Sequence, residues 1–363
     1  MTGRGADGMS ARERPDIARG ALCGLGAAAL FGVSAPLAKV LLPNTSPLVL
    51  AGLLYLGGGL GLLAASLVRR RRQDGRQAHL RKADVPDLLG IIALGGIAGP
   101  VLMLYGLERV SGVAGSLLLN LEAPLTMVLA VVLFKEHLGL RGMLAALLVV
   151  AGAAILGYSP DELRAQSTGV LAIAGACLSW AIDNNLTQRL SLRDPIAVVR
   201  IKALGAGSCT LAVALITGER LPRMGILVPA LVVGVACYGI SIVLDMYALR
   251  ILGAAREAAF FATAPFLGAL AAIPLLGERP GLSHLVSGAL MAIGVFLLVR
   301  ERHGHVHDHD EMDHDHAHVH DDHHRHEHDG SEPEGEPHAH AHRHPPLVHD
   351  HPHLPDLHHR HRH

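Results

Sequence analysis

Long runs of apolar residues constrain this chain more than any other feature. A transmembrane helix needs about 20 consecutive apolar residues, and 50% of the chain is hydrophobic although only 3% is aromatic. Segments such as 117–134 and 286–299 lack the polar stripe that a soluble helix turns toward water. The runs predict ten transmembrane helices, at 17–40, 46–68, 85–107, 111–134, 139–157, 168–190, 195–217, 225–249, 254–276 and 281–300.

The basic residues near the ends of these ten spans predict their orientation. Loops rich in Lys and Arg stay in the cytoplasm. With the N-terminus inside, 19 such residues fall on the cytoplasmic side and 6 on the opposite side. This bias predicts a multi-pass protein of the cell inner (plasma) membrane with both termini in the cytoplasm.

The two halves of the membrane region resemble each other at an offset of 142 to 149 residues. Tyr105-Gly-Leu matches Tyr247-Ala-Leu, and Gly152 falls on Gly294. Each repeat holds an odd number of spans, so the second repeat is predicted to be inverted relative to the first, as in many secondary transporters. The predicted organisation is an N-terminal cytoplasmic segment at 1–16, five-helix repeats at 17–157 and 168–300, and a histidine-rich cytoplasmic tail at 301–363.

One motif occurs twice and carries a family resemblance. Its residues are Leu121-Glu-Ala-Pro124, Glu136, Gly139 and Gly157 in the first copy, and Ala264-Pro265, Glu278 and Gly294 in the second. In this pattern the chain resembles the ten-helix EamA-type transporters of the drug/metabolite transporter superfamily. The resemblance covers about residues 18–300 and implies an all-α fold. It leaves the substrate open.

Charged residues inside the spans are candidate functional groups, because a charge in hydrocarbon is costly unless it is paired or faces water. Glu122 lies about halfway along the fourth span, beside Pro124, whose ring can kink the helix. We interpret Glu122 as a candidate proton or cation site, with a role in helix packing as the alternative.

A second set of candidates lies in spans 6 to 9. At ~1.5 Å of rise per residue the six charged side chains among them should share one layer near the cytoplasmic face. The candidates are Asp183, Asn184, Asn185, Arg200, Lys202, Asp245, Arg256 and Glu257. The layer predicts either a self-neutralising structural ion-pair network or a cytoplasmic gate or substrate site. Lys39, near the outer end of span 1, is interpreted as an interfacial anchor.

The tail from residue 301 contains 23 of the 26 histidines and little apolar surface, so it is predicted to be disordered. Closely spaced imidazoles can chelate Ni, Co or Zn at exchangeable sites. The candidate ligands are His305, His307, His309, His314, His316, His318, His320, His323 and His324. An incidental low-complexity extension is the alternative.

These observations favour a secondary carrier of a small polar metabolite or drug-like molecule, coupled to protons or another ion. The alternative is a divalent-metal transporter whose tail senses or buffers the metal. No helix-borne H-E-x-x-H or nucleophile motif is present in the sequence, so an enzyme is not expected and no cofactor is required. Expected partners are the bilayer, the substrate and a second copy of the chain, with no nucleic acid.

Overall fold

The computed structural model describes residues 13–69, 80–134, 140–157, 163–190, 193–252 and 254–299, together with four short segments of the tail. Between residues 13 and 299 the described chain forms α-helices. They are α1 (Glu13–Gly32), α2 (Ser34–Leu41), α3 (Pro47–Arg69), α4 (Val85–Ile91), α5 (Gly99–Leu107), α6 (Gly112–Leu118), α7 (Glu122–Phe134), α8 (Leu140–Gly157), α9 (Leu163–Arg189), α10 (Pro195–Ile216), α11 (Met224–Val233), α12 (Ser241–Leu252), α13 (Ala254–Phe261), α14 (Ala264–Leu276) and α15 (Leu282–Val299).

Nine helical segments in the described ranges are long and apolar enough to cross a membrane. Their bounds are Ala18–Asn44, Pro47–Leu67, Lys82–Leu107, Gly112–Leu129, Leu140–Gly157, Ile196–Ile216, Met224–Ala248, Glu257–Leu276 and Leu282–Val299. Each coincides with a predicted span, which confirms a polytopic helical membrane protein. The remaining predicted span is occupied by α9, which is 27 residues long but contains the polar run from Asp183 to Asn185.

Several spans are interrupted helices and not the continuous rods that hydropathy predicts. A 3-10 turn at Leu119–Leu121 separates α6 from α7. Pro124 follows three residues after this turn and has no N–H to donate to the preceding turn of helix, which favours a local change of helix type there. Glu122 is therefore the first residue of α7, directly after the break.

Two π-helical segments lie at matching positions in the two halves. One joins α4 to α5 at Ile92–Ala98, and the other joins α11 to α12 at Gly234–Ile240, an offset of 142 residues at both ends. Each closes with an equivalent backbone bond, from Gly99 N–H to the carbonyl of Leu94 and from Ser241 N–H to that of Ala236. The sequence match between the halves thus extends to an uncommon helix type.

Glycines in α8 and α15 make matching contacts across the interface between these helices. A Cβ atom at Gly152 would lie 2.9 Å from Met291 Cγ and 3.1 Å from Ser287 O. A Cβ atom at Gly294 would lie 2.8 Å from Ala145 O and 2.8 Å from Val149 Cγ2. Ala145 and Val149 precede Ser287 and Met291 by the same 142 residues, so each helix contributes the same surface to the contact. Small residues allow such close approach of helices in membranes.

The buried core consists of two main clusters of apolar side chains. One centres on α3 and α5, and it includes Leu50, Leu54 and Leu104 together with Trp180 of α9. The other joins α6, α8 and α15 and includes Leu118, Val149 and Met291. Helix α9 contributes to both clusters, and this central position brings its polar residues between neighbouring helices.

The tail differs from the predicted disorder in four segments. Strands β1 (His303–His309), β2 (Met312–His318), β3 (His338–His344) and β4 (Leu347–His353) form two antiparallel pairs, β1 with β4 and β2 with β3. The residue-by-residue alternation of histidine matches the two-residue period of a strand. The prediction of disorder rested on the low apolar content of the tail. The described part of the membrane region is therefore helical, and the described part of the tail forms short strands.

Candidate functional site

An ion pair joins α9 to α10 inside the bundle. Asp194 accepts hydrogen bonds from the N–H groups of Ile196 and Ala197 and so caps the start of α10. This start places Lys202 two turns into α10, where its Nζ lies 2.5 Å from Oδ2 of Asp183. The Asp183 side chain is 6% exposed and that of Lys202 is 16% exposed. Burial makes each charge dependent on the other.

A second polar contact lies beside this ion pair. Asn184 Nδ2 donates to Oε1 of Glu122 at 2.7 Å, which joins α9 to the first turn of α7. Glu122 also lies close enough to Asp183 and Lys202 to interact with them electrostatically. We call these four residues, Glu122, Asp183, Asn184 and Lys202, the central cluster. Glu122 was expected at mid-membrane and Asn184 near the cytoplasmic end, yet the structure brings them together.

The π segment of the third span exposes a carbonyl oxygen to the central cluster. The N–H of Gly99 is bonded to Leu94, and Pro100 has no N–H, so Gly95 O receives neither of these backbone donors. Two aromatic side chains donate to it instead, Tyr55 Oη at 2.8 Å and Trp180 Nε1 at 3.0 Å. Because a buried carbonyl needs a donor, these bonds hold α3, the π segment and α9 together.

Gly95 also makes room for the Asp183 carboxylate. A Cβ atom at residue 95 would overlap the carboxylate atoms of Asp183. The second carboxylate oxygen, Oδ1, is buried and has no hydrogen-bond partner among the described residues. Asp183 is therefore held on one side by Lys202 and enclosed on the other by the helix of span 3.

Asp245 and Glu257 form a separate contact between α12 and α13. Their side chains lie close enough to each other to interact directly. Oδ1 of Asp245 is buried without a partner among the described residues. These two acids are thus neighbours of each other, while Arg200 and Lys202 of the predicted layer contact Ser66 and Asp183.

The remaining predicted residues lie outside the central cluster. Asn185 donates to the Ala181 carbonyl within α9, a packing contact at 2.8 Å. Arg200 donates to Ser66 Oγ at 2.7 Å and so ties α10 to the end of α3. The side chain of Arg256 lies outside the described part of the chain. Among the described side chains, the candidates of the expected layer are thus found in the central cluster, the Asp245–Glu257 pair and the Arg200 contact.

Away from the central cluster, the turn between α5 and α6 is held by residues of α2, of α15 and of the loop that joins α14 to α15. Lys39 Nζ lies 2.5 Å from the carbonyl oxygens of both Leu107 and Val110 at the end of α5. Lys39 therefore contacts the end of a neighbouring helix, and its interpretation as an interfacial anchor stays a prediction. Free carbonyls at a helix C-terminus attract a cation, which favours this position.

The same turn is capped from the loop that joins α14 to α15 and is contacted by α15. Glu278 accepts the N–H groups of Gly112 at 2.5 Å and Val113 at 2.9 Å, so its carboxylate caps the N-terminus of α6. Ser111 Oγ lies 3.2 Å from His284 Nε2. These residues belong to span ends that the sequence predicts to face outward, so we call this set, comprising Lys39, Ser111, Glu278 and His284, the outer clamp.

Metal binding finds no support in the side chains that the structure describes. Among them, no group of three or more His, Cys, Asp or Glu residues could hold a metal ion. His305, His307, His309, His314, His316 and His318 lie in β1 and β2, where only the backbone is described, and His320, His323 and His324 lie outside the described residues. Metal chelation by the tail remains a prediction.

Comparison with known proteins identifies the family. The model of the EamA-like transporter family matches the chain twice, over residues 18–158 and 167–300. The chain belongs to the EamA-like transporter family. It is therefore a membrane transporter, in agreement with the resemblance seen in its motifs.

Two relatives and one solved structure support this assignment. The chain is 30% identical over 283 residues to an uncharacterised transporter of Methanothermobacter thermautotrophicus, which covers 74% of this chain and 82% of the relative. It is 25% identical over 227 residues to a probable terminal-alkyne amino-acid exporter of Streptantibioticus cattleyicolor, covering 62% and 76% respectively. A crystal structure with 20% identity superposes with a TM-score of 0.56 over 78% of this chain and 99% of that one, which shows a shared fold.

Sequence reasoning missed Tyr55, Gly95 and Trp180, which hold the central cluster in place. A signal was present in Gly95-Gly96 followed by Gly99-Pro100, since closely spaced glycines and a proline weaken an α-helix. Trp180 is the single tryptophan of the chain and precedes Asp183 by one helical turn. Glu278 also belongs to the repeated motif, but its role as a cap of α6 becomes visible only in the structure.

Proposed function

We propose that this member of the EamA-like transporter family is a secondary carrier that moves a small polar metabolite across the plasma membrane by alternating access. The carrier is energised by a proton or another ion, and both termini lie in the cytoplasm. The observation that carries the proposal is the central cluster, where buried and half-buried ionisable groups from three helices meet. Buried charges in a membrane bundle are costly, so their presence favours a transport site.

The arrangement of helices supports alternating access. The proposal treats α9 as the tenth span and the two halves as inverted five-helix repeats. The equivalent contacts of Gly152 and Gly294, and the two π segments separated by 142 residues, support this symmetry. In inverted-repeat carriers the substrate site lies where the halves meet, and one half moves against the other. The central cluster joins Glu122 of the first half to α9 and α10 of the second.

The outer clamp supports a gate on the non-cytoplasmic side. Two of its contacts join the halves, because Glu278 of the second half accepts the N–H of Gly112 in the first, and His284 of the second contacts Ser111 of the first. An outward-open state requires these bonds to break. The polar character of one relative's named substrate, an amino acid, supports a small polar metabolite as the cargo. No observation in the described residues favours the metal-transporter alternative.

Substrate counterflow tests this function whatever the direction of transport and whichever ion drives it. The purified full chain is placed in liposomes loaded with an unlabelled mixture of common amino acids and propargylglycine, and entry of each labelled compound is measured. We expect saturable uptake of at least one compound, which Asp183→Asn or Lys202→Met abolishes. Glu219→Gln, which neutralises an exposed carboxylate, serves as the matched control and should transport normally. Uptake that is unchanged in both cluster variants would contradict the proposal.

A further inference from the structure

The charges of the central cluster do not balance when every group is ionised. The cluster contains two carboxylates, Glu122 and Asp183, and one ammonium, Lys202, while the side chain of Asn184 is neutral. The sum is one negative charge. Leaving a net charge inside a membrane bundle is unfavourable, so the cluster requires one further cation or one bound proton.

Among the side chains that the structure describes, Glu122 is the carboxylate of the cluster without a hydrogen bond from a cation. Lys202 donates to Asp183 at 2.5 Å, whereas Glu122 receives the neutral amide of Asn184 at 2.7 Å. Among the described side chains, Lys202 is the cation that interacts electrostatically with Glu122, but its hydrogen bond goes to Asp183. Tyr55 of α3 and Cys177 of α9 also lie near Glu122, and both are uncharged in their protonated forms.

Access to the two carboxylates also differs. Asp183 is 4% exposed and is enclosed by Gly95 and Lys202. Glu122 is half-buried and Asn184 is exposed, so the bond between them borders open space. A carboxylate and an amide are unfavourable against lipid, which favours a polar, ligand-accessible space beside them. A ligand can therefore reach Glu122 without displacing the Asp183–Lys202 pair.

From this geometry we propose that Glu122 binds either a proton or the protonated amine of the substrate, and that the two replace one another during transport. In the exchange, the carboxylic acid of Glu122 and an incoming organic ammonium yield a carboxylate–ammonium pair and one released proton, so that atoms and charge balance. Asn184 keeps the carboxylate in place, and its amide oxygen can accept an N–H of the amine. The cargo is thus a small molecule that carries a primary amine.

This inference rests on the proposed carrier function, but its test measures equilibrium binding and not transport. The full chain is purified in detergent in a weakly buffered solution near neutral pH with a pH indicator. Three related probes are added, namely propargylglycine, its decarboxylated amine 3-butyn-1-amine, and its deaminated acid 4-pentynoic acid. We expect both amines to release about one proton per chain at saturation, and the acid to release none. Fluorescence of Trp180, the single tryptophan, reports binding independently.

The number of released protons should follow the charge balance of the cluster. Glu122→Gln should abolish both proton release and amine binding. Asp183→Asn should abolish proton release because Lys202 then neutralises Glu122. The double variant Asp183→Asn with Lys202→Met should restore release, because Glu122 is again alone. A purely structural role for these residues predicts no such restoration. Size-exclusion chromatography confirms that each variant is folded.

Several outcomes would overturn the proposal. In the native chain, these are proton release caused by the deaminated acid or by sodium chloride, or no release with any probe. In the variants, they are release that persists in Glu122→Gln, or a folded double variant that does not recover release. Normal counterflow with no proton exchange at Glu122 would reject this inference and leave the carrier function intact. Proton exchange without counterflow would reject the carrier function alone.

Discussion

The indole N–H of Trp180 donates to the carbonyl oxygen of Gly95 at 3.0 Å. This bond fixes the single tryptophan of the chain against the π segment of the third span, one helical turn from Asp183. The same carbonyl accepts Tyr55 Oη, so three helical elements meet at one backbone atom. A change in any of them should alter the geometry of the central cluster.

Gly95→Ala tests this dependence. The added methyl would overlap the Asp183 carboxylate, and relieving such overpacking typically costs roughly 1–3 kcal/mol. We expect a shifted Trp180 emission and counterflow reduced at least tenfold, about 1.4 kcal/mol. Gly175→Ala in α9 is the control, because its Cβ would lie 3.4 Å from Leu102 Cδ1, an ordinary contact. Equal activity in the two variants would contradict the role assigned to Gly95.

Glu278 is expected to stabilise the outer clamp as a helix cap. Its two oxygens accept the N–H groups of Gly112 and Val113, and loss of such a cap costs roughly 1–2 kcal/mol. Thermal unfolding in detergent should give the lowest unfolding temperature for Glu278→Ala. Glu278→Gln, which keeps one acceptor oxygen, should unfold between Glu278→Ala and the native chain. If the alanine variant is as stable as the native chain, the cap contributes nothing.

The direct contact between Asp245 and Glu257 makes the two acids depend on each other. Glu257→Gln should preserve a donor to Asp245 and keep the protein folded. Glu257→Leu should leave Asp245 without that partner, at a cost of about 1–3 kcal/mol for an unsatisfied buried polar group. The stability of the two variants is compared by measuring the yield of monodisperse protein in detergent. A leucine variant as abundant as the glutamine variant would show that the contact is dispensable.

Ending the chain at Arg302 separates the tail from transport. The central cluster and the outer clamp involve no residue beyond 300 in the part that the structure describes, so counterflow should be unchanged. Binding of Ni or Zn by the purified chain, followed by calorimetry, should be lost because the tail carries 23 of the 26 histidines. Loss of counterflow on truncation would instead link the tail to transport.

The sequence was sufficient for the class of fold because apolar length and the positions of charges follow from the bilayer itself. It also identified Glu122, Asp183, Asn184 and Lys202 as candidates, since charged and polar groups are rare in such spans. It could not predict their partners. The proximity of Asp245 to Glu257, for example, could not be predicted, because partners depend on helix rotation, which hydropathy does not define.

Lys39 illustrates the same limit. Its position near a span end fitted an interfacial anchor, but the carbonyls of Leu107 and Val110 lie within reach only because α2 packs beside the end of α5. The tail differs from its prediction for another reason. A composition poor in apolar residues predicted disorder, although the alternation of histidine also fits the antiparallel strand pairs that the structure describes.

The π segments have a consequence for the surfaces of their spans. A π turn holds one residue more than an α turn, and one residue corresponds to about 100° of rotation around a helix axis. The side chains of α5 are therefore turned by about 100° relative to the stripe that α4 would continue, and the same holds for α12 after α11. A deletion of one residue within Ile92–Ala98 would realign the two parts of the span and direct a different set of side chains toward α9.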